Sequence, residues 1–143
     1  MTKRFGSSRI VSGGVLHDAL SLPGMVAEED SIPSGVILYR LDQNQCEVVL
    51  LISVLPRQGI GRSLMAAVQA IAVNAGCTRL WLITTNDNRG ALDFYRAIGM
   101  RFVAIHRGAV HEARRLKPEI PEFGGDGIPI EDEIEFELPL EGA

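Results

Sequence analysis

Long apolar runs are missing from this chain. No segment approaches the roughly 20 apolar residues that a membrane helix needs, so no membrane span is expected. Cysteine is scarce. Cys46 and Cys77 stand alone in apolar stretches, at neither metal nor redox spacing, which predicts buried reduced thiols, no metal site and a cytoplasmic protein. Met1–Gly6 have no long apolar segment behind them, and a secretory signal is not expected. Basic residues are missing from one end. Residues 1–117 hold all 14 Lys and Arg against nine acids, whereas residues 118–143 hold nine acids and no base, a split of +5 and −9. The basic body suits an anionic ligand, but its charges are scattered singly. No stripe has the density that nucleic acid requires, so nucleic-acid partners are not expected either.

What remains is the composition of an ordinary globular protein, 46% hydrophobic and 22% charged. The 143 residues predict a single domain, 1–143, with a proper core and no internal repeat. Near the front, Arg9–Ser12 reads as a short strand broken by Gly13-Gly14, and Val15–Leu22 is the one stretch there with any helical character. Turns at Ser21–Gly24 and Ser31–Gly35 bracket a strand at Met25–Glu28. Val36–Leu41 is another strand, and the polar link Asp42-Gln43-Asn44-Gln45 turns it into Cys46–Leu55, so the early strands are antiparallel. Val48-Val49-Leu50-Leu51-Ile52 is apolar throughout, as a central strand covered on both faces should be.

Leu64, Val68, Ile71, Ala72 and Ala75 fall at helical spacing, with Gly76 as a stop. Leu80–Ile83 is the next buried strand, with Trp81 read as core, and strand, helix and strand make a right-handed parallel unit. Asn86-Asp87-Asn88 bring cap chemistry, Asp87 included, to a short helix with Ala91, Tyr95 and Ile98 on one face and Gly99 at its end. A strand at Phe102–Ile105, a helical turn around Ala109–Leu116 and a Pro/Gly-rich loop, Pro118–Pro129, come next. Glu131–Leu138 alternates acidic and apolar residues and predicts a half-exposed strand. Its acids either face solvent or add an attractive potential for a cationic substrate.

The densest signal is the stretch from Val54 to Leu64, in which an apolar run turns through Gly59 and Gly61 and opens an amphipathic segment. Glycine lets backbone approach a ligand closely, and a helix N-terminus presents unpaired N–H groups at the positive end of its dipole. Arg57 and Arg62 add charge-assisted donors, so the turn suits phosphate. A dinucleotide fold would want a further glycine where Ser63-Leu64 stand, and an acid after the next strand. A mononucleotide loop would want Gly-Lys-Ser or Gly-Lys-Thr. Both companions are absent.

The stretch Asn88-Arg89-Gly90-Ala91-Leu92-Asp93-Phe94-Tyr95-Arg96-Ala97-Ile98-Gly99-Met100 follows the second buried strand directly. With the glycine turn before it, residues 36–107 closely resemble the GNAT superfamily of acyl-CoA-dependent N-acyltransferases. The part from His106 through Lys117-Pro118 to Ile130 looks like one bacterial subgroup of that superfamily. The resemblance implies a mixed α/β fold (α+β in its segregated elements) with a mostly antiparallel sheet, a splayed parallel strand pair and flanking helices. It implies acetyl-CoA as co-substrate, its pantetheine arm on the backbone of Ile52–Val54 and its pyrophosphate on Gln58, Gly59, Ile60, Gly61, Arg62 and Ser63, with Arg57 beside them. Asn88 would bond the pantetheine arm. Tyr95 would be the general acid for the leaving thiolate, and a water or a nearby carboxylate would take the amine's proton.

Each residue also has a plainer reading. Asn88 is equally an N-cap and Tyr95 a core residue of its helix. Glu47 stands near the start of the buried strand, where several family members place a base, and a solvated strand end is its other reading. His106 and His111 are further base candidates that read as easily as surface residues. Two departures from the family pattern matter. Pro56 occupies a position usually held by Gln or Arg and has no N–H to give. Only about 35 residues precede the Val36 strand, where family members build one wall of the acceptor pocket from a strand and one or two helices. Either a second copy completes the pocket as a homodimer, or the acceptor site is open, or catalysis is lost. The sequence therefore predicts an N-acetyltransferase that works by direct attack in a ternary complex on a small-molecule or peptide amine. The alternative is a non-catalytic acyl-CoA-binding or partner-binding module.

Overall fold

The computed structural model describes residues 9–53 and 59–140. Its first half contains β1 (Arg9–Ser12), β2 (Val15–Asp18), a 3-10 turn (Ala19–Ser21), β3 (Gly24–Glu29), β4 (Ile32–Asp42) and β5 (Gln45–Ser53). Its second half contains α1 (Ile60–Asn74), β6 (Arg79–Thr85), α2 (Arg89–Ala97), β7 (Arg101–His106), α3 (Ala109–Leu116) and β8 (Glu133–Pro139). These residues gather into two compact units. One runs from Leu22 to Trp81 and resumes at Leu138; the other runs up to Ser21 and from Leu82 to Glu137. The chain passes from the first to the second inside β6.

In the first unit β3, β4, β5 and the start of β6 lie in that order, with β5 and β6 parallel and the other pairs antiparallel. The β4–β5 link is a two-residue turn at Gln43-Asn44, with Gln43 at φ 55. α1 buries Ile60, Leu64, Met65, Val68 and Ala72, a stripe at helical spacing, against β3, β4 and β5. It sits close: a Cβ on Gly35 of β4 would lie 2.7 Å from Ile60 Cγ2 and 3.2 Å from Leu64 Cδ1. Only glycine permits that approach. Cys46 and Cys77, at 0% and 1% exposure, are part of this core as free thiols.

Strand parity then sorts the rest of β4 and β5. Gly35 points at α1, so Arg40, five residues on, points away from it, and its cross-strand partner Glu47 shares that face. The next pair, Asp42 and Gln45, lies on the same face.

In the second unit the order is β6, β8, β7, with β7 and β8 antiparallel, and β1 and β2 form a separate ribbon. Phe136 of β8 is fully buried and meets the rings of Tyr95 and Phe102 at 6.1 and 6.4 Å. Val110 and Ala113 of α3 and Ile130 complete the core. Arg114 ties the loop after α3 by donating to three carbonyls, those of Ile120, Pro121 and Ile130.

The helical character expected of Val15–Leu22 is confined to the 3-10 turn at Ala19–Ser21. Gly13 and Gly14 both take positive φ, 58 and 79, the turn that fits a twisted two-residue hairpin, so Ser12 pairs with Val15 and the stretch continues as β2. Likewise the turn expected at Ser31–Gly35 is shorter. Asp30 and Ser31 make it with φ of 51 and 66, and Ile32 to Gly35 already belong to β4. Pro33 opposes Glu28 beside a bulge, where a missing N–H is tolerated.

Candidate functional site

The glycine turn enters the described residues at Gly59; Val54, Pro56, Arg57 and Gln58 lie outside them. Gly59 caps α1 at φ 74 and brings no side-chain acceptor. The first intrahelical bond runs from Ser63 N–H to Gly59 C=O at 2.9 Å, so the amides of Ile60, Gly61 and Arg62 come before any helical acceptor. No acid stands in that first turn. Ile60 is buried and anchors the helix, whereas Arg62 and Ser63 are exposed. A 15-residue helix whose N-terminus has no side-chain cap among the described residues is a fitting seat for a phosphate group. Ile52 is half-buried on β5, paired with Val36.

Asn88 caps α2, its Oδ1 accepting from Ala91 N–H at 3.2 Å. The cap role expected of Asp87 belongs to Asn88 instead. Asp87 accepts from Thr85 Oγ and lies against Gly124, where a Cβ would collide with it. Asn86 was read from sequence as cap chemistry, yet it is the clamp of this region. Its Oδ1 accepts the N–H groups of Glu131 and Asp132, both at 3.0 Å, and its Nδ2 donates to Pro129 C=O at 2.9 Å. Asp132 in turn accepts from Gly108 N–H. The turn carrying Asn88 is thereby bound to the loop before β8. Nothing local in the sequence announces these bonds, because their partners lie more than forty residues away.

Tyr95 is the buried residue of α2, edge-on to Phe94 at 5.4 Å. Burial pushes its phenol up to about 12, so it keeps its proton and serves as a donor.

Glu47 is not a solvated strand end. It is 2% exposed, and its Oε1 accepts from Arg40 Nε at 2.8 Å. Arg40 also reaches Asp42 Oδ2 through Nη1 at 3.2 Å. The bond to Glu47 is the main reason the guanidinium is held more firmly protonated than usual, against a desolvation that works the other way. Trp81, expected in the core, is half-buried. Arg79 lies over its ring at 5.0 Å and donates to Gln45 Oε1. Parity explains the miss: Leu80 and Leu82, at 0% and 1%, take the core side of β6 and leave Trp81 on the other. Arg40, Asp42, Gln43, Gln45, Glu47 and Trp81 line a cavity of about 90 Å³ at this end of the hairpin.

Two of the acids of β8 bond side chains of β7. Glu137 takes Arg101 through Nη2 at 2.6 Å, Glu135 takes His106 at 2.9 Å, and Glu133 is 5% exposed. His111 is exposed, its Nδ1 3.4 Å from Arg114 Nη1. Neither histidine adjoins Tyr95 or Glu47 in a hydrogen bond. Glu47, Ile52 and Gly59–Ser63 thus stand in the first unit, and Asn88 and Tyr95 in the second.

Among the described residues no helix is long and apolar enough to cross a membrane, and no three His, Cys, Asp or Glu side chains gather as metal ligands do. The chain is 41% identical over 135 residues to the uncharacterized protein YdhI of Bacillus subtilis (strain 168), covering 94% of this chain and 84% of that one. It is 37% identical over 134 residues to YxbD of the same organism, covering 92% and 84%. In fold it is similar to a GNAT family acetyltransferase from Elizabethkingia anophelis with acetyl-CoA bound. The TM-score is 0.71 at 24% identity, over 85% of this chain and 78% of that one. A Bacillus subtilis acetyltransferase in complex with CoA gives 0.68 at 21% identity, over 81% and 75%. Residues 12–100 match the acetyltransferase (GNAT) family, and the chain belongs to it.

Proposed function

We propose that the chain is an N-acetyltransferase that moves an acetyl group from acetyl-CoA to a primary amine by direct attack. The observation that carries the reading is the N-terminus of α1, which no acid or side-chain cap occupies among the described residues, in a chain whose next strand leads to a helix capped by Asn88 and carrying Tyr95. Free amide donors and a helix dipole suit the pyrophosphate of a coenzyme A thioester. Structural neighbours that hold CoA or acetyl-CoA support this choice of ligand.

In this reading Gly59, Ile60, Gly61, Arg62 and Ser63 seat the pyrophosphate together with Arg57 and Gln58, and the backbone of Ile52–Val54 receives the pantetheine arm. Asn88 keeps its cap through Oδ1 and turns Nδ2 to the same arm. The co-substrate supplies an acyl thioester. Glu47, directly or through a water, takes a proton from the acceptor ammonium. The nitrogen lone pair then forms the C–N bond as the C–S bond breaks, and the sulfur leaves with the proton of Tyr95. The second proton of the new C–N nitrogen returns through water to the Tyr95 phenolate, and Glu47 gives its proton to solvent. The protein works in the cytoplasm, where Cys46 and Cys77 stay reduced.

Calorimetry with acetyl-CoA should give heat, and a panel of amines should give thiol release. No heat and no thiol from any amine would overturn the reading. One observation favours a second reading, that of a non-catalytic acyl-CoA binder: Glu47 is held by Arg40. That reading expects binding heat with no thiol, and thiol release above the hydrolytic background removes it.

A further inference from the structure

We infer that Asn86 and Gly124 are positioning residues for the acyl donor, because between them they set where Asn88 stands. The inference rests on the role given to Asn88 above and adds what controls it. Asn88 is exposed, and its cap bond, Oδ1 to Ala91 N–H, fixes the side chain only relative to α2. Where Nδ2 is presented therefore depends on how the turn Thr85–Asn88 and the start of α2 are held.

Two grips hold that turn, and both come from the segment between α3 and β8. The first is Asn86, whose N–H donates to Asp132 C=O at 3.1 Å in addition to the three side-chain bonds. The segment it grips is fixed in turn. Val110 N–H donates to Glu131 C=O at 3.0 Å, and Arg114 Nη2 donates to Ile130 C=O at 2.8 Å. The second grip is Gly124. A Cβ there would stand 2.5 Å from Asp87 Oδ2 and 3.0 Å from Asp87 Cβ, so Asp87 is seated directly on the backbone. Gly124 has little room to withdraw, because its N–H donates to Ile128 C=O at 2.8 Å and Ile130 N–H donates to Glu122 C=O at 2.8 Å. At Gly125, the next residue, a Cβ would meet nothing within 4 Å. All of these residues belong to the second unit.

α2 has a separate anchor further on. Tyr95 lies seven residues beyond Asn88, about 10 Å along the helix, and its ring packs on Phe136 at 6.1 Å. Loosening the turn lets the start of the helix tilt about that anchor. Asn88 moves and Tyr95 stays. Hydrogen bonds weaken steeply with distance and angle, so affinity for the acyl donor falls while the proton donor keeps its place.

Gly124→Ala forces a methyl group against Asp87 and tests the inference. Calorimetry should show acetyl-CoA binding about threefold to tenfold more weakly, the span of one ordinary hydrogen bond. Gly125→Ala should bind within about twofold of the unaltered chain. Asn88→Asp keeps a cap oxygen and loses the Nδ2 donor, and in that background Gly124→Ala should change affinity less than about twofold. With an amine that releases thiol, KM for acetyl-CoA should rise while kcat stays within about twofold. Circular dichroism reports folding, and Asn86→Ala carries the same expectations if Gly124→Ala does not fold. The inference is overturned by unchanged affinity, by an equal loss in Gly125→Ala, or by a full loss in the Asn88→Asp background. No heat from acetyl-CoA with the unaltered chain overturns it together with the ligand reading. The expected pattern of affinities without thiol release upholds the two grips and removes the transferase reading alone.

Discussion

Arg40 Nε donates to Glu47 Oε1 at 2.8 Å across paired positions of β4 and β5, which fixes a buried carboxylate through a guanidinium that is itself 28% exposed. Removing the guanidinium takes a 2.8 Å charged donor from a carboxylate that is 2% exposed. Arg40→Ala should cost about 2–4 kcal/mol, the range for breaking a buried pair reduced for its partly exposed partner. Arg40→Lys should cost less, since an ammonium keeps the charge but loses the fork that reaches Asp42 as well. Urea unfolding measures both, and a loss below about 0.5 kcal/mol for the alanine variant would mean that the pair carries no stability.

Tyr95→Phe keeps the ring that packs on Phe94 and Phe136 and removes only the proton donor. Turnover should fall about a hundredfold, within the usual range for a general acid, while acetyl-CoA affinity stays within about twofold. An unchanged rate takes Tyr95 out of the mechanism.

The same phenol predicts a dependence on alkali. Folding raises it from 10.0 to about 12 through burial, so the fold favours its neutral form. The stabilisation is full below about pH 10 and is lost as pH climbs through about 12, a swing of about 2–3 kcal/mol. Unfolding midpoints across pH 9–11.5 should fall less steeply for Tyr95→Phe than for the unaltered chain. Parallel curves would contradict the burial argument.

Burial also pushes the Cys46 thiol up to about 12, with the nearby charges of Cys77 and Glu47 adding to the effect. An aromatic disulfide reagent at pH 8 should find no reactive thiol in the native protein and two after denaturation, because Cys46 and Cys77 are 0% and 1% exposed. A thiol that reacts within seconds in the native state would show an opening that this fold does not contain.

Asn86→Ala removes an acceptor shared by two N–H groups and a donor to Pro129. A stability loss of about 2–3 kcal/mol should follow, with faster amide exchange confined to the loop between α3 and β8. Uniformly faster exchange would assign Asn86 to the core rather than to the clamp.

Periodicity made much of this legible. The helical stripe on Leu64, Val68 and Ala72, the polar link at 42–45 and the mixed sheet with one parallel pair could all be read from residue order. Gly13-Gly14 was read as a break because two glycines end a strand as readily as they turn it, and only the pairing of Ser12 with Val15 decides. Trp81 looked like core because an aromatic in an apolar run carries no mark of which face it takes. The bond between Arg40 and Glu47 depends on register, and a bulge between Leu38 and Tyr39 sets that register. Asn86 is the extreme case, since its partners come from a loop whose composition promises only irregularity.

β8 lies between β6 and β7 in the second unit, although it is made after both. During synthesis β6 and β7 therefore leave the ribosome without the strand that joins them, and Tyr95 and Phe102 wait for Phe136 to cover them. Their pairing cannot begin until Glu133–Pro139 has emerged. A stalled or prematurely released chain would expose two sheet edges and an aromatic cluster, the kind of surface that chaperones bind and that drives aggregation.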